Sequence, residues 1–275
     1  MTSIAMKYSV LTLFPEIIDA YFASSIMAKA VSRGIVEYCP INIRDFATDK
    51  HHTCDDAPYG GGAGMLMLAE PISGALESAG AKNRYASAVE STGAEESGRR
   101  AKVIYLSPSG RPFDQALARD LSGEEELILL CGRYEGIDQR VIDAYVDEEI
   151  SVGDYVLSSG EVAALIVIDA TYRLLEQVIK AASLEEESFS GGLLEYPQYT
   201  RPEIFGTLKV PEILLSGHHE NIRRWRLEKR VKKTLDNRPD LLRLGKEQGI
   251  FSDEILGIIE EIPLAAKDWP DKGDI

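Results

Sequence analysis

The sequence predicts an α/β domain built on a mainly parallel sheet, followed by a small helical C-terminal domain. Three observations predict it. Short runs rich in β-branched and apolar residues alternate with segments whose apolar residues fall at helical spacing, the order of strand–helix–strand units. The length, 275 residues, suffices for one large domain or two ordinary ones. After Ile179 the composition turns small, acidic and glycine-ended in "KAASLEEESFSGG", which is linker composition.

The elements follow in order. "KYSVLTLF" reads as the first strand. Pro15 opens "PEIIDAYFASSIMAKAVSRG", with Ile17, Ile18, Tyr21 and Phe22 at helical spacing. Pro suits the first helical position and Gly34 the C-terminal cap. "IVEYCPINIRDF" is the second strand, and a loop rich in Asp, His and Gly runs from it to Gly64. "MLAEPISGALESAG" is a short helix, and the polar stretch Lys82 to Arg100 is a flexible surface insertion. "AKVIYLSP" is a strand, "DQALARDLSG" a helix and "EELILLCG" a third clear strand. "EVAALIVIDATYRLLEQVI" is a largely apolar helix with Ser158 or Ser159 as its N-cap. From "LLEYPQYTRPE" onward the pattern is helical with proline breaks. The expected limits are a first domain at 1–178, a flexible linker at 179–190 and a C-terminal domain at 191–275. No internal repeat is visible.

Composition excludes some classes. No apolar run is long enough to span a bilayer, and the N-terminus lacks the charged and apolar regions of a signal peptide. Cys39, Cys54 and Cys131 are scattered and odd in number, so a reducing cytoplasm fits better than a disulfide framework. A net charge of −15 argues against indiscriminate nucleic-acid binding and leaves room for a local basic patch.

The stretch "DDAPYGGGAGM" is the most glycine-rich. It is not a P-loop, because no Lys-Ser or Lys-Thr follows it. The dinucleotide fingerprint G-x-G-x-x-G is also missing after the first strand, which runs into "FPEI". Three strand ends combine Gly with Ser, Tyr or Asp: "YLSPSGRPF", "CGRYEGID" and "SVGDYVLSSGE". Ligands of open α/β sheets sit beyond the carboxyl ends of strands. Three such loops could converge on a small ligand; any one of them alone reads as an ordinary turn.

Together, "YLSP.G", "CGRYEGID", "GDYVLS.GE" and "YTRPE" with the later "RRWR" closely resemble the bacterial tRNA (guanine-N1)-methyltransferases of the TrmD family, in the SPOUT superfamily. "LTLFPE", "RDF" and "DDAPYGGGAGM" match as well, and the resemblance runs from about Ser9 to about Leu242. It implies a SPOUT-type sheet with a deep trefoil knot, a homodimer with its active site at the subunit interface, and a helical tRNA-binding C-terminal domain. It implies methylation of N1 of the guanine immediately 3′ of the anticodon, with S-adenosylmethionine as donor. The implied donor pocket comprises Tyr105, Leu106, Ser107 and Pro108, then Gly132, Tyr134 and Glu135, then Ser151, Val152, Gly153, Tyr155, Leu157 and Gly160. Two positions depart from the family pattern: Ser159, where a second glycine is common, and Ala163, where proline is common. A serine at 159 would crowd the ligand if the backbone needed positive φ.

Guanine N1 carries a proton and is a poor nucleophile until a base removes it. The resemblance places that base at Glu187, the acid before "SF", where the best-known relatives have aspartate. It places Arg173 on the charge that develops at O6. Without the resemblance, Glu185 to Glu187 read as a solvated run and Arg173 as an ordinary helix arginine. His51, Asp55 and Gly61 are assigned to the target-guanine side. His51, His52 and Cys54 lie close together, but too few well-spaced ligands appear for a zinc site, and no metal site is expected. Magnesium is used by family members, yet no dedicated ligand cluster for it is visible.

"NIRRWRLEKRVKK" holds seven basic residues, among them Arg223, Arg224 and Arg226, with Trp225 between them. In an otherwise acidic chain this patch points to RNA phosphates, although an isolated basic run is more often a solvated face. A SPOUT enzyme acting on another RNA and a non-catalytic RNA-binding dimer are the competing readings.

Overall fold

A computed structural model describes residues 5–85, 101–179 and 186–261. The chain divides into two compact units, Met1–Ile179 and Lys180–Ile275. The first unit opens with β1 (Met6–Thr12), α1 (Pro15–Phe22), α2 (Ser25–Ser32) and β2 (Val36–Asn42). A short ladder of β3 (Asp55–Asp56) and β4 (Leu66–Met67) precedes α3 (Ala69–Ser78). Then come β5 (Lys102–Pro112), α4 (Gln115–Ser122), β6 (Glu126–Cys131), α5 (Gln139–Tyr145), β7 (Glu148–Ser151) and α6 (Gly160–Tyr172).

The five long strands form one sheet in the order β2-β1-β6-β5-β7, and every pairing in it is parallel. Helices cover both faces, so the strands are apolar on both sides. Tyr8, Val10, Ile104, Leu106, Leu127 and Leu129 face α1, α2, α4 and α6. The alternate residues Leu11, Val103, Tyr105, Ile128 and Leu130 pack on the other face with Ile72 and Leu76 of α3 and Val141 of α5. Each such buried aliphatic side chain contributes about 1.5–3 kcal/mol.

Several local expectations are corrected. The segment from Pro15 to Gly34 is two helices. Ser24 is extended (φ −115°, ψ 148°), its Oγ donates to the Ala20 carbonyl at 2.8 Å, and Ser25 has φ 54°. Adjacent serines thus satisfy the backbone locally and break the helix. Gly34 does close α2, with φ 66°. The apolar helix ends at Tyr172, seven residues before Ile179, and Arg173 is its C-cap. Helix α5 was not anticipated, and β7 was expected only through its end at "SVGDYVLSSGE". The acids that open β7 hide it, and the fold neutralises one of them: Glu148 pairs with Lys102 at 2.8 Å and with Arg111 at 3.4 Å. Of the expected insertion, Arg84 is anchored by an ion pair to Asp147 at 3.0 Å, and residues 86–100 lie outside the described residues.

The second unit holds a hairpin of β8 (Ile204–Phe205) and β9 (Leu208–Lys209), then α7 (Glu212–Leu215), α8 (His219–Asn237), α9 (Pro239–Glu247) and α10 (Asp253–Glu261). Its core gathers Leu193, Val231, Leu242, Phe251, Ile258 and Ile259. Part of the expected linker, residues 180–185, lies outside the described residues, but Glu186–Ser190 is tied to the chain that follows. Phe189 N–H donates to the Leu193 carbonyl at 2.8 Å, and the Tyr196 hydroxyl donates to Glu186 Oε2 at 2.9 Å.

Candidate active site

Strands β5, β6 and β7 end side by side, with Leu106 opposite both Cys131 and Ile150. Beyond Leu106 the β5–β7 register shifts and resumes at Arg111, so Ser107 and Pro108 leave the ladder. The loops after β6 and β7 leave at the same end. Between them lies a cleft of about 190 Å³, larger than the ~150 Å³ cavity that admits benzene. Every residue expected at the donor pocket lines it, from Tyr105 to Gly160.

The walls are held closely. Gly160 N–H donates to the Gly132 carbonyl at 2.9 Å. A Cβ on Gly160 would lie 2.7 Å from Cys131 Cα and 2.7 Å from Gly132 N, so only glycine lets α6 start against the β6 loop. In the third loop Ser151 Oγ donates to the Gly153 carbonyl at 3.1 Å, and the Tyr155 hydroxyl donates to the Val152 carbonyl at 3.0 Å. Burial, reinforced by the nearby Glu149 carboxylate, pushes the Tyr105 phenol up to about 12. Ser159 sits at φ −162° and ψ 151°, extended backbone that any residue adopts, so the expected crowding does not arise. Its side chain makes no capping bond, although it holds the N-cap position.

Two residues inside these motifs escaped the sequence reading. Glu161, in the first turn of α6, is fully buried and accepts from Thr12 Oγ1 at 2.6 Å. Its other oxygen lies 3.8 Å from Arg133 Nε. Arg133 also donates to the Ser158 carbonyl at 3.3 Å and stacks over the Phe14 ring at 4.3 Å. The only signal was their place, Arg133 between the glycines of "CGRYEGID" and Glu161 after the single glycine of "SSGE".

The glycine loop joins the same region. The Glu135 N–H donates to the Met65 carbonyl at 3.1 Å, and the Met67 N–H to the Gly136 carbonyl at 3.0 Å. Gly64, at φ 85°, lies over Glu135: a Cβ there would be 2.4 Å from Glu135 Cγ. Gly61, at φ 78°, has open space around its Cα, so the close approach is made by Gly64. Asp55 is half-buried on β3 and Tyr134 reaches it. Burial and the Asp55 carboxylate raise the Tyr134 phenol, against the Arg44 guanidinium. His51 is exposed, with its N–H on Asp49 Oδ2 at 2.8 Å. Among the described residues no group of three or more His, Cys, Asp or Glu is placed to hold a metal ion.

Arg173 is half-buried in the first unit, and Glu187 half-buried in the second. On α8 the three arginines expected at the RNA already have acidic partners. Arg223 pairs with Glu220 at 2.8 Å and Glu254 at 2.7 Å, and Arg224 with Glu228 at 3.0 Å. Arg226 pairs with Glu186 at 3.6 Å and stacks over Tyr196 at 4.8 Å. Arg230 is turned inward and donates to the Ser190 carbonyl at 2.8 Å, so it serves the fold and not the exposed face.

A sequence model of the family described as tRNA (Guanine-1)-methyltransferase TrmD matches residues 6–244. Among curated relatives, a tRNA (guanine-N(1)-)-methyltransferase of Treponema denticola is 58% identical over 256 residues, covering 93% of this chain and 98% of that protein. The protein of the same name from Treponema pallidum is 51% identical, over 94% of this chain and 96% of its own. That of Borreliella burgdorferi is 57% identical over 86% of this chain and 92% of its own length.

Proposed function

The chain belongs to the tRNA (guanine-1)-methyltransferase TrmD family, and on that premise we propose that it methylates N1 of the guanine immediately 3′ of the anticodon in tRNA. The observation that carries the reading is the convergence of the three motif loops on one cleft at the carboxyl ends of β5, β6 and β7.

The cleft suits S-adenosylmethionine. Leu106, Val152 and Leu157 offer an apolar surface for a purine, loop backbone offers polar groups, and Glu135 offers a carboxylate to a cationic ligand. When bound, the donor would supply a methyl group on a sulfonium for N1 to take, the sulfur departing as a neutral thioether. The protein supplies the rest. Glu187 accepts the N1 proton. Arg173 donates to O6, where negative charge develops. Asp55 holds the guanine edge, and His51 and Gly61 belong to the same side. The donor loops of the first unit are the proposed site of the family's trefoil knot.

A homodimer is part of the proposal. Helix α6 is apolar nearly all round, and Val162 and Ile166, one turn apart, remain exposed. A second copy would cover them and bring its own residues to the cleft. The second unit is proposed to bind tRNA through Arg223, Arg224 and Arg226. No helix among the described residues is long and apolar enough to cross a membrane, and we place the enzyme with its tRNA in the cytoplasm.

The test is methyl transfer to unmodified tRNA carrying guanine or adenine beside the anticodon. Glu187→Gln should abolish transfer to the guanine form while donor binding persists. Near-normal turnover in that variant would move the base to another acid, Asp55 first. Transfer to ribosomal RNA instead of tRNA would favour the alternative reading of the substrate.

A further inference from the structure

We infer that Glu161 is a positioning residue for the donor cleft, acting through Arg133 and held by Thr12. The inference rests on the reading of that cleft as the donor site. Three parts of the chain meet at this carboxylate: the end of β1, the loop after β6 and the first turn of α6. Glu161 and Thr12 are both fully buried and share a 2.6 Å hydrogen bond. The Arg133 guanidinium spans the gap, 3.8 Å from Glu161, 3.3 Å from the Ser158 carbonyl and 4.3 Å above the Phe14 ring.

Stability alone is a poor reason for this arrangement. A buried ion pair is often no more stabilising than apolar residues of the same volume. Here the contact is also incomplete. At 3.8 Å the pair is an ion pair beyond hydrogen-bond reach, and Arg133 Nε and Glu161 Oε2 are buried without a hydrogen-bond partner among the described residues. What the pair does fix is geometry. Arg133 lies between Gly132 and Tyr134, and Ser158 immediately precedes Ser159 and Gly160; all of these line the cleft. Holding the guanidinium therefore sets the β6 loop against the β7 loop before any ligand arrives. The carboxylate sits where the N-terminal end of the α6 dipole favours negative charge.

The test uses the full-length chain with tRNA and S-adenosylmethionine. Calorimetry gives the donor Kd, and steady-state methyl transfer gives kcat and the KM for tRNA. Glu161→Gln removes the charge and Thr12→Val removes the hydroxyl at nearly constant shape; Thr12→Ser keeps the hydroxyl. Each of the first two should weaken donor binding about tenfold or more, the factor carried by one hydrogen bond to a charged group. The kcat at saturating donor and the KM for tRNA should stay within about twofold, and Thr12→Ser should bind the donor as the natural chain does. If Glu161→Gln fails to fold, Thr12→Val decides. Donor affinity within about twofold of the natural chain in the decisive variant overturns the inference. So does a parallel loss of donor affinity, kcat, tRNA affinity and thermal stability, which marks general loosening. A natural chain that binds no donor overturns the underlying reading of the cleft, and the inference with it.

Discussion

Replacing Gly160 by alanine tests how tightly the cleft is built. The added Cβ would sit 2.7 Å from both Cys131 Cα and Gly132 N, whereas relaxed contacts between carbon atoms lie near ~3.5–4.0 Å. Both neighbours are backbone, so neither can rotate aside, and α6 must move by roughly 1 Å. Overpacking of this kind costs about 1–3 kcal/mol. The same shift weakens the 2.9 Å bond from Gly160 N–H to the Gly132 carbonyl, worth about 1 kcal/mol. A loss of about 2–4 kcal/mol lowers Tm by roughly 5–15 °C in a unit of this size. Thermal unfolding by circular dichroism reads the stability, and calorimetry with S-adenosylmethionine reads the cleft. Where alanine fits without strain, Gly→Ala stabilises a protein by about 0.4–1 kcal/mol. An unchanged or raised Tm with unchanged donor affinity would therefore refute the close-contact argument.

Other predictions follow from the same geometry. Gly61→Val places a β-branched residue at φ 78° in open space; tRNA methylation should fall more than donor binding in paired assays, and equal loss would confine the loop to a folding role. Arg230→Ala removes the donor to the half-buried Ser190 carbonyl and should lower the stability of the second unit by about 1.5–3 kcal/mol. Arg224→Ala should leave Tm unchanged and flatten the salt dependence of tRNA binding, read by filter binding at several ionic strengths. The Tyr105 phenol is held neutral by burial, with its pKa raised to about 12 from 10.0. Its contribution to stability is present below pH 10 and lost as pH rises through about 12. Alkaline unfolding should therefore be less steep over pH 10–12 in Tyr105→Phe than in the natural chain.

The parallel sheet was legible because its strands are buried on both faces and so read as continuous apolar runs. "EELILLCG" is the clearest, with Leu127 to Cys131 wholly buried. Strand β7 was legible only at its glycine-bearing end, because the acids that open it look solvent-borne until Lys102 and Arg111 are brought beside Glu148. The break at Ser24–Ser25 was hidden by an apolar period that continues across it. The three cleft loops were legible because glycine and serine at strand ends carry their conformational meaning locally. The clamp of Thr12, Arg133 and Glu161 was not, since 149 residues separate Thr12 from Glu161. A charged residue inside a glycine motif reads as exposed until the fold buries it. On α8 the partner Glu228 of Arg224 is visible at i, i+4, but Glu254 of Arg223 is 31 residues away.

The anchoring of the glycine loop on the β6 loop has a thermodynamic consequence. Met65 to Met67 and Glu135 to Gly136 share backbone hydrogen bonds, with Gly64 lying on the Glu135 side chain. A base gripped by the first segment and a donor seated on the second would bias one piece of backbone from opposite sides. Their binding free energies then cannot be independent. Whatever factor the donor imposes on tRNA affinity, tRNA must impose on donor affinity, by the same amount. The enzyme's two substrates would each report on the presence of the other.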